Sequence, residues 1–105
     1  MKEISVADLK AKMDNNEDFQ LIDVRETYEV EIATINGLHI PMGEVMANLD
    51  KIATDKPVIV HCRSGQRSAA VVNALEQQTK QDNIFNLAGG ILAWADEIDP
   101  SMSKY

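Results

Sequence analysis

Apolar positions along the chain fall into short continuous runs that alternate with stripes at helical spacing. Val6, Leu9 and Met13 share one helical face behind Ser5, which reads as an N-cap with Asp8 as a weak capping-box partner. Phe19-Gln20-Leu21-Ile22-Asp23-Val24 then reads as a strand. Asn36-Gly37 is a turn signal, and Leu38-His39-Ile40 before Pro41 is a second short strand. Val45, Leu49 and Ile52 mark another helical face, and Pro57 opens the strand Val58-Ile59-Val60-His61. Val71, Val72 and Leu75, with alanines around them, predict a helix that is apolar over most of its surface and hence buried. Ile84-Phe85-Asn86-Leu87 is a last strand, and Ile91, Trp94, Ala95 and Ile98 stripe a final helix. Tyr28-Glu29-Val30-Glu31-Ile32 alternates at strand period, but its place between two strands favours a short helix. Strands alternating with helices predict an α/β fold, with a parallel sheet covered on both faces. Trp94, Met13 and Met46 read as core. One domain over residues 1–98 is expected, followed by an aperiodic, mobile tail over 99–105.

Composition narrows the function without naming it. The 105 residues suit one domain, and 45% hydrophobic with 26% charged residues suits a soluble globular fold. A net charge of -7 argues against nucleic acid, whose binding needs clustered Lys and Arg. The local acidic excess at Glu26, Glu29 and Glu31 reads as a solvated face. No apolar stretch is long enough to cross a membrane, and the N-terminus lacks the apolar run of a signal peptide, so the cytoplasm is the expected address. A single cysteine excludes an internal disulfide, and neither it nor His39 and His61 offers the spacing of a zinc site. No metal or cofactor is expected.

The chemistry concentrates in Cys62-Arg63-Ser64-Gly65-Gln66-Arg67-Ser68, between the strand ending at His61 and the helix that follows. A strand, a tight loop and a helix N-terminus aim backbone amides and cations at one sulfur. Such a setting holds Cys62 as a thiolate and gives an anionic substrate a place to sit. Lowering a thiol pKa by about two units favours its thiolate by roughly 2.7 kcal/mol. Arg67 is expected to bind the substrate's oxyanion, more than Arg63, which is expected to face solvent. Gly65 and Gln66 supply amides. Ser64 and Ser68 add hydroxyl donors, and Ser68 also reads as the N-cap of the next helix. Asp23 and Arg25 follow a strand at the sheet edge where α/β sites form, and read as an ion pair that fixes loops first and supports the site second. His61 points to the opposite face from Cys62 and reads as a core histidine.

Three stretches together resemble the rhodanese family of sulfurtransferases: Leu21-Ile22-Asp23-Val24-Arg25, the Cys62–Ser68 loop, and Asn86-Leu87-Ala88-Gly89-Gly90-Ile91-Leu92-Ala93-Trp94. They stand in the family's order and span most of the chain. The resemblance implies a three-layer rhodanese-like fold, with a five-stranded, mainly parallel sheet and helices on both faces. It also implies transfer of sulfane sulfur through a Cys62 persulfide, from thiosulfate or a persulfide to a thiol, cyanide or a thiol-bearing protein. The stretch Ile32-Ala33-Thr34-Ile35-Asn36 departs from the Gly-His-Ile-Pro-Gly that the family often carries before its third strand.

Other functions remain in contention on residues alone. Cysteine phosphatases and arsenate reductases place an arginine after five intervening residues, where this chain has Ser68; its arginine comes one residue early, at Arg67. A loop one residue shorter suits a sulfur atom better than a phosphoryl group. A non-catalytic interaction module would have no need of Cys62, whereas a persulfide carrier that hands sulfur to a protein would share every feature of the loop.

Overall fold

The computed structural model describes residues 1–105. Five strands, β1 (Lys2–Ile4), β2 (Gln20–Asp23), β3 (Leu38–His39), β4 (Val58–His61) and β5 (Ile84–Leu87), form one sheet in the order β1-β5-β4-β2-β3. Every pairing is parallel. The helices are α1 (Val6–Asp14), α2 (Thr27–Ile32), α3 (Gln66–Thr79) and α4 (Gly90–Glu97). A 3-10 run over Met42–Lys51, kinked at Asn48, links β3 to β4.

Alternation along β4 divides the core. Val58 and Val60 pack with Ile22, Val45, Val71, Val72 and Leu75, on the face covered by α3 and the 3-10 run. Ile59 packs with Val6, Leu9, Leu87, Ile91 and Trp94, beneath α1 and α4. All four β4 residues are buried, as a central strand of a twice-covered parallel sheet requires. Helix α1 begins where expected, with the Ser5 hydroxyl accepting the Asp8 amide at 3.1 Å.

Several local expectations need correcting. β1 carried no signal, because only Ile4 of its three residues is buried. Helix α3 buries one face rather than most of its surface: Ser68, Val71, Val72 and Leu75 are inside, and its other residues reach water. Val45, Leu49 and Ile52 do reach the core, but from a 3-10 run and the residue after it. Met46 is exposed, whereas Met13 and Trp94 pack in the core. Residues 99–105, expected to move freely, fold back instead. Asp99 accepts the Ser101 amide and hydroxyl, and the Tyr105 hydroxyl lies within hydrogen-bonding distance of Arg25 and Glu29.

Candidate active site

Cys62 sits at the carboxyl end of β4, between strand and helix, and is 1% exposed. Gly65 turns the chain with φ +102°, a conformation that favours glycine, and α3 starts one residue later. The turn brings the Gly65 amide to 3.2 Å from the sulfur and the Ser68 amide to 3.4 Å. The Ser68 hydroxyl lies 3.3 Å from the sulfur and 2.6 Å from Asn86 Oδ1. One hydroxyl proton therefore serves two acceptors. Ser68 is inside the first turn of α3, and Gly65 takes the N-cap position that the sequence also allowed for Ser68.

These donors set the charge state of the sulfur. Burial pushes the Cys62 thiol up, but the Ser68 hydroxyl and the amides of Ser68, Gly65 and Ser64 outweigh it and leave the pKa below the ordinary thiol value. The Gln66 and Arg67 amides belong to the free first turn of α3 and have no acceptor in the protein. They remain available to a further anionic atom bound on Cys62 or beside it.

Helix α4 holds the loop in this shape. Its Ile91 and Leu92 amides donate to the Cys62 and Arg63 carbonyls at 3.0 and 3.1 Å, which pins both peptide groups to the helix start. Gly90 makes the approach possible. A Cβ there would lie 2.5 Å from the Arg63 oxygen and 2.7 Å from the Cys62 oxygen. Asn86, at the end of β5, completes the frame by donating to the Gly65 carbonyl at 3.2 Å while accepting from Ser68. The resemblance included Asn86 and Gly90, but their work on the loop was not foreseen.

Asp23 and Arg25 form the expected pair beside this end of the sheet, with both side chains buried and Nη2 2.7 Å from Oδ2. Arg25 also donates to the Ala33 carbonyl at 2.8 Å, tying β2 to the segment after α2. Burial alone would raise the Asp23 carboxyl, yet its bonds from Arg25 hold it below the usual value. His61 is fully buried, as a core histidine should be. Its Nδ1 donates to the Cys62 carbonyl at 3.3 Å, and Nε2 lies 3.6 Å from Asp23 Oδ2, beyond bonding distance. Burial, opposed by Asp23, lowers its pKa and favours the neutral ring.

The two loop arginines differ from expectation. Arg67 makes a bidentate pair with Glu29, at 2.7 and 2.8 Å, and is no free cation. Arg63 has no carboxylate partner; its guanidinium lies over the Tyr105 ring, 5.1 Å from the centroid, rather than standing free in solvent. Glu29 is therefore not part of a solvated acidic face. It is 2% exposed, accepts the Glu26 amide at 2.9 Å, and lies 2.9 Å from the Tyr105 hydroxyl. The Arg67 hydrogen bonds draw its carboxyl down to about 2, against burial. Neither Glu29 nor Tyr105 was marked in sequence as part of the site.

A buried cysteine ringed by donors thus stands at the end of a central parallel strand, the edge at which α/β sites form. The rhodanese-like domain model matches residues 5–97, and the chain belongs to that family. It is 40% identical over 101 residues to YtwF of Bacillus subtilis (strain 168), to which sulfurtransferase activity is ascribed; the match covers 95% of this chain and 96% of that one. A sulfurtransferase of Allochromatium vinosum is 34% identical over 96 residues, covering 90% of this chain and 89% of the relative. The crystal structure of a rhodanese-like domain protein from Staphylococcus aureus superposes with a TM-score of 0.82 at 31% identity, covering 100% of this chain and 99% of that one. No helix is long and apolar enough to cross a membrane.

Proposed function

We propose that the protein transfers sulfane sulfur through a persulfide on Cys62, with thiosulfate or a low-molecular-weight persulfide as donor. The observation that carries this reading is the ring of donors from Gly65 and Ser68 around a buried thiol held below its ordinary pKa. The Cys62 thiolate attacks the outer sulfur of thiosulfate. A new S–S bond forms, the donor's S–S bond breaks, and sulfite leaves with that bond's electron pair. Cys62 then carries a persulfide anion, whose outer sulfur is met by the unpaired Gln66 and Arg67 amides. Attack by cyanide on that outer sulfur releases thiocyanate and restores the Cys62 thiolate. A thiolate acceptor, free or on a protein, takes the sulfur in the same way and leaves as its own persulfide. Two half-reactions through one covalent intermediate give ping-pong kinetics.

In this reading the loop from Arg63 to Ser68 binds the donor, with Ser64, Gly65, Gln66 and Ser68 acting through amides and hydroxyls. Arg63 meets the donor's sulfonate oxygens, because Glu29 already neutralises Arg67. Asp23 and Arg25 support the loop from beneath. The test is intact-mass measurement after thiosulfate. One added sulfur atom is expected on the wild-type chain, lost on adding cyanide as thiocyanate appears. Cys62→Ser should fold and gain nothing, since the chain has no other thiol. Sulfur transfer by that variant, or a wild-type protein that no sulfane donor loads, would end the proposal.

A further inference from the structure

One residue outside the catalytic loop touches the side-chain arrangement of both loop arginines. The Tyr105 ring lies under the Arg63 guanidinium, with the centroid 5.1 Å away, and under that of Arg25 at 5.8 Å. The Tyr105 hydroxyl accepts from Arg25 Nη1 at 2.8 Å and donates to Glu29 Oε1 at 2.9 Å. That same Glu29 oxygen takes Arg67 Nη2 at 2.8 Å. The phenol thus fixes the carboxylate that holds Arg67, and its ring offers a face on which Arg63 rests. Arg63 has no other anchor: no carboxylate pairs with it and no hydrogen bond to its guanidinium is present. A long side chain held by one aromatic face keeps a defined position at modest cost in conformational freedom.

Resting on the proposal that Arg63 meets the donor's oxyanion, we infer that Tyr105 is a positioning residue for sulfur transfer. Its ring seats the side chain of Arg63, the residue after Cys62, and its hydroxyl keeps Arg67 committed to Glu29. It touches neither the sulfur nor the atoms that donate to the sulfur, so its influence falls on donor binding and not on the thiolate.

The ring and the hydroxyl of Tyr105 have separable roles. Tyr105→Phe retains the ring and should leave the KM for thiosulfate within about twofold of wild type. Tyr105→Ala removes the seat and should raise that KM about fivefold, the scale of one partly exposed cation–π contact. In both variants kcat should change by less than about twofold. The pH at which half of Cys62 reacts with a small haloacetamide should not move, because the Gly65 and Ser68 donors are intact. A double-mutant cycle gives the decisive measurement: Tyr105→Ala should add little to Arg63→Ala, since both remove one seated cation. An unchanged KM in Tyr105→Ala would overturn the inference. So would fully additive KM effects in the double variant, or a shifted alkylation profile that reports a general loosening of the loop. Failure of the underlying sulfur-transfer reading would be seen separately, as a wild-type Cys62 that never gains sulfur.

Discussion

Replacing Ser68 by alanine tests how the sulfur is held. The substitution removes a hydroxyl 3.3 Å from Sγ but leaves the Gly65 and Ser68 amides at 3.2 and 3.4 Å. A hydrogen bond to a charged group contributes about 1.5–3 kcal/mol. This one is long, and its proton is shared with Asn86 Oδ1 at 2.6 Å, so the low end applies. About 1.4 kcal/mol corresponds to a rise of about one unit in the thiol pKa. The change also leaves Asn86 Oδ1 without its donor in a residue 2% exposed, at a cost to stability of about 1–3 kcal/mol. Alkylation of Cys62 by a haloacetamide across pH measures the first effect, and urea unfolding at neutral pH measures the second. Both should appear. Lost stability with an unmoved alkylation half-point would refute the reasoning, because the hydroxyl would then serve Asn86 alone and the amides would hold the thiolate unaided.

Three further outcomes are expected. Glu29 has its pKa drawn from 4.5 to about 2 in the folded protein. Its contribution to stability is therefore complete above about pH 4.5 and is lost as pH falls through the folded value. It amounts to about 2–3 kcal/mol once screening at the partly exposed Arg67 is allowed for. Glu29→Gln should flatten the pH dependence of urea unfolding over that window. Gly90→Ala should destabilise the fold by about 3 kcal/mol or more, because a Cβ would strike the Arg63 carbonyl at 2.5 Å from a residue with φ +59°. Its thermal midpoint checks this, and the alkylation half-point of Cys62 should rise with it as the loop loosens. Aryl phosphate hydrolysis should be negligible beside sulfur transfer. Ser68 stands where a phosphate-binding arginine would be needed, and its side chain is buried against Asn86. Turnover at the sulfur-transfer rate, abolished by Cys62→Ser, would contradict this.

What was legible in the sequence is what short-range pattern encodes. The apolar runs at Phe19–Val24, Val58–His61 and Ile84–Leu87 are buried or half-buried on account of their own side chains, so periodicity found β2, β4 and β5. The sequential strand–cysteine–helix order likewise placed the thiol at a helix terminus. β1 escaped notice because its stability comes from pairing with β5, more than eighty positions away, and not from its own exposed Lys2 and Glu3. Charge was the least readable quantity. Glu29 sits in an acidic stretch that is otherwise exposed, and its burial relies, beside the local Glu26 amide, on Arg67 and Tyr105, distant along the chain. The same pairing gives Arg67 a carboxylate partner that its spacing did not reveal. A guanidinium close in sequence to a nucleophile is free to act only if no carboxylate elsewhere in the fold reaches it first.

The hold of α4 on the Cys62 loop has a consequence for how the chain is made. Asn86, Ile91 and Leu92, which fix the carbonyls of Gly65, Cys62 and Arg63, are translated long after the cysteine itself. A nascent chain that has released β4 and α3 from the ribosome already exposes its thiol, but without the frame that turns the loop's amides inward. During that interval the loop lacks the bonds that Asn86, Ile91 and Leu92 make to its carbonyls. The loop takes its folded shape only once residues 86–92 dock against it. A chain truncated before that point would keep Cys62 and its Gly65 and Ser68 neighbours but lose the bonds from residues 86–92 that frame their loop.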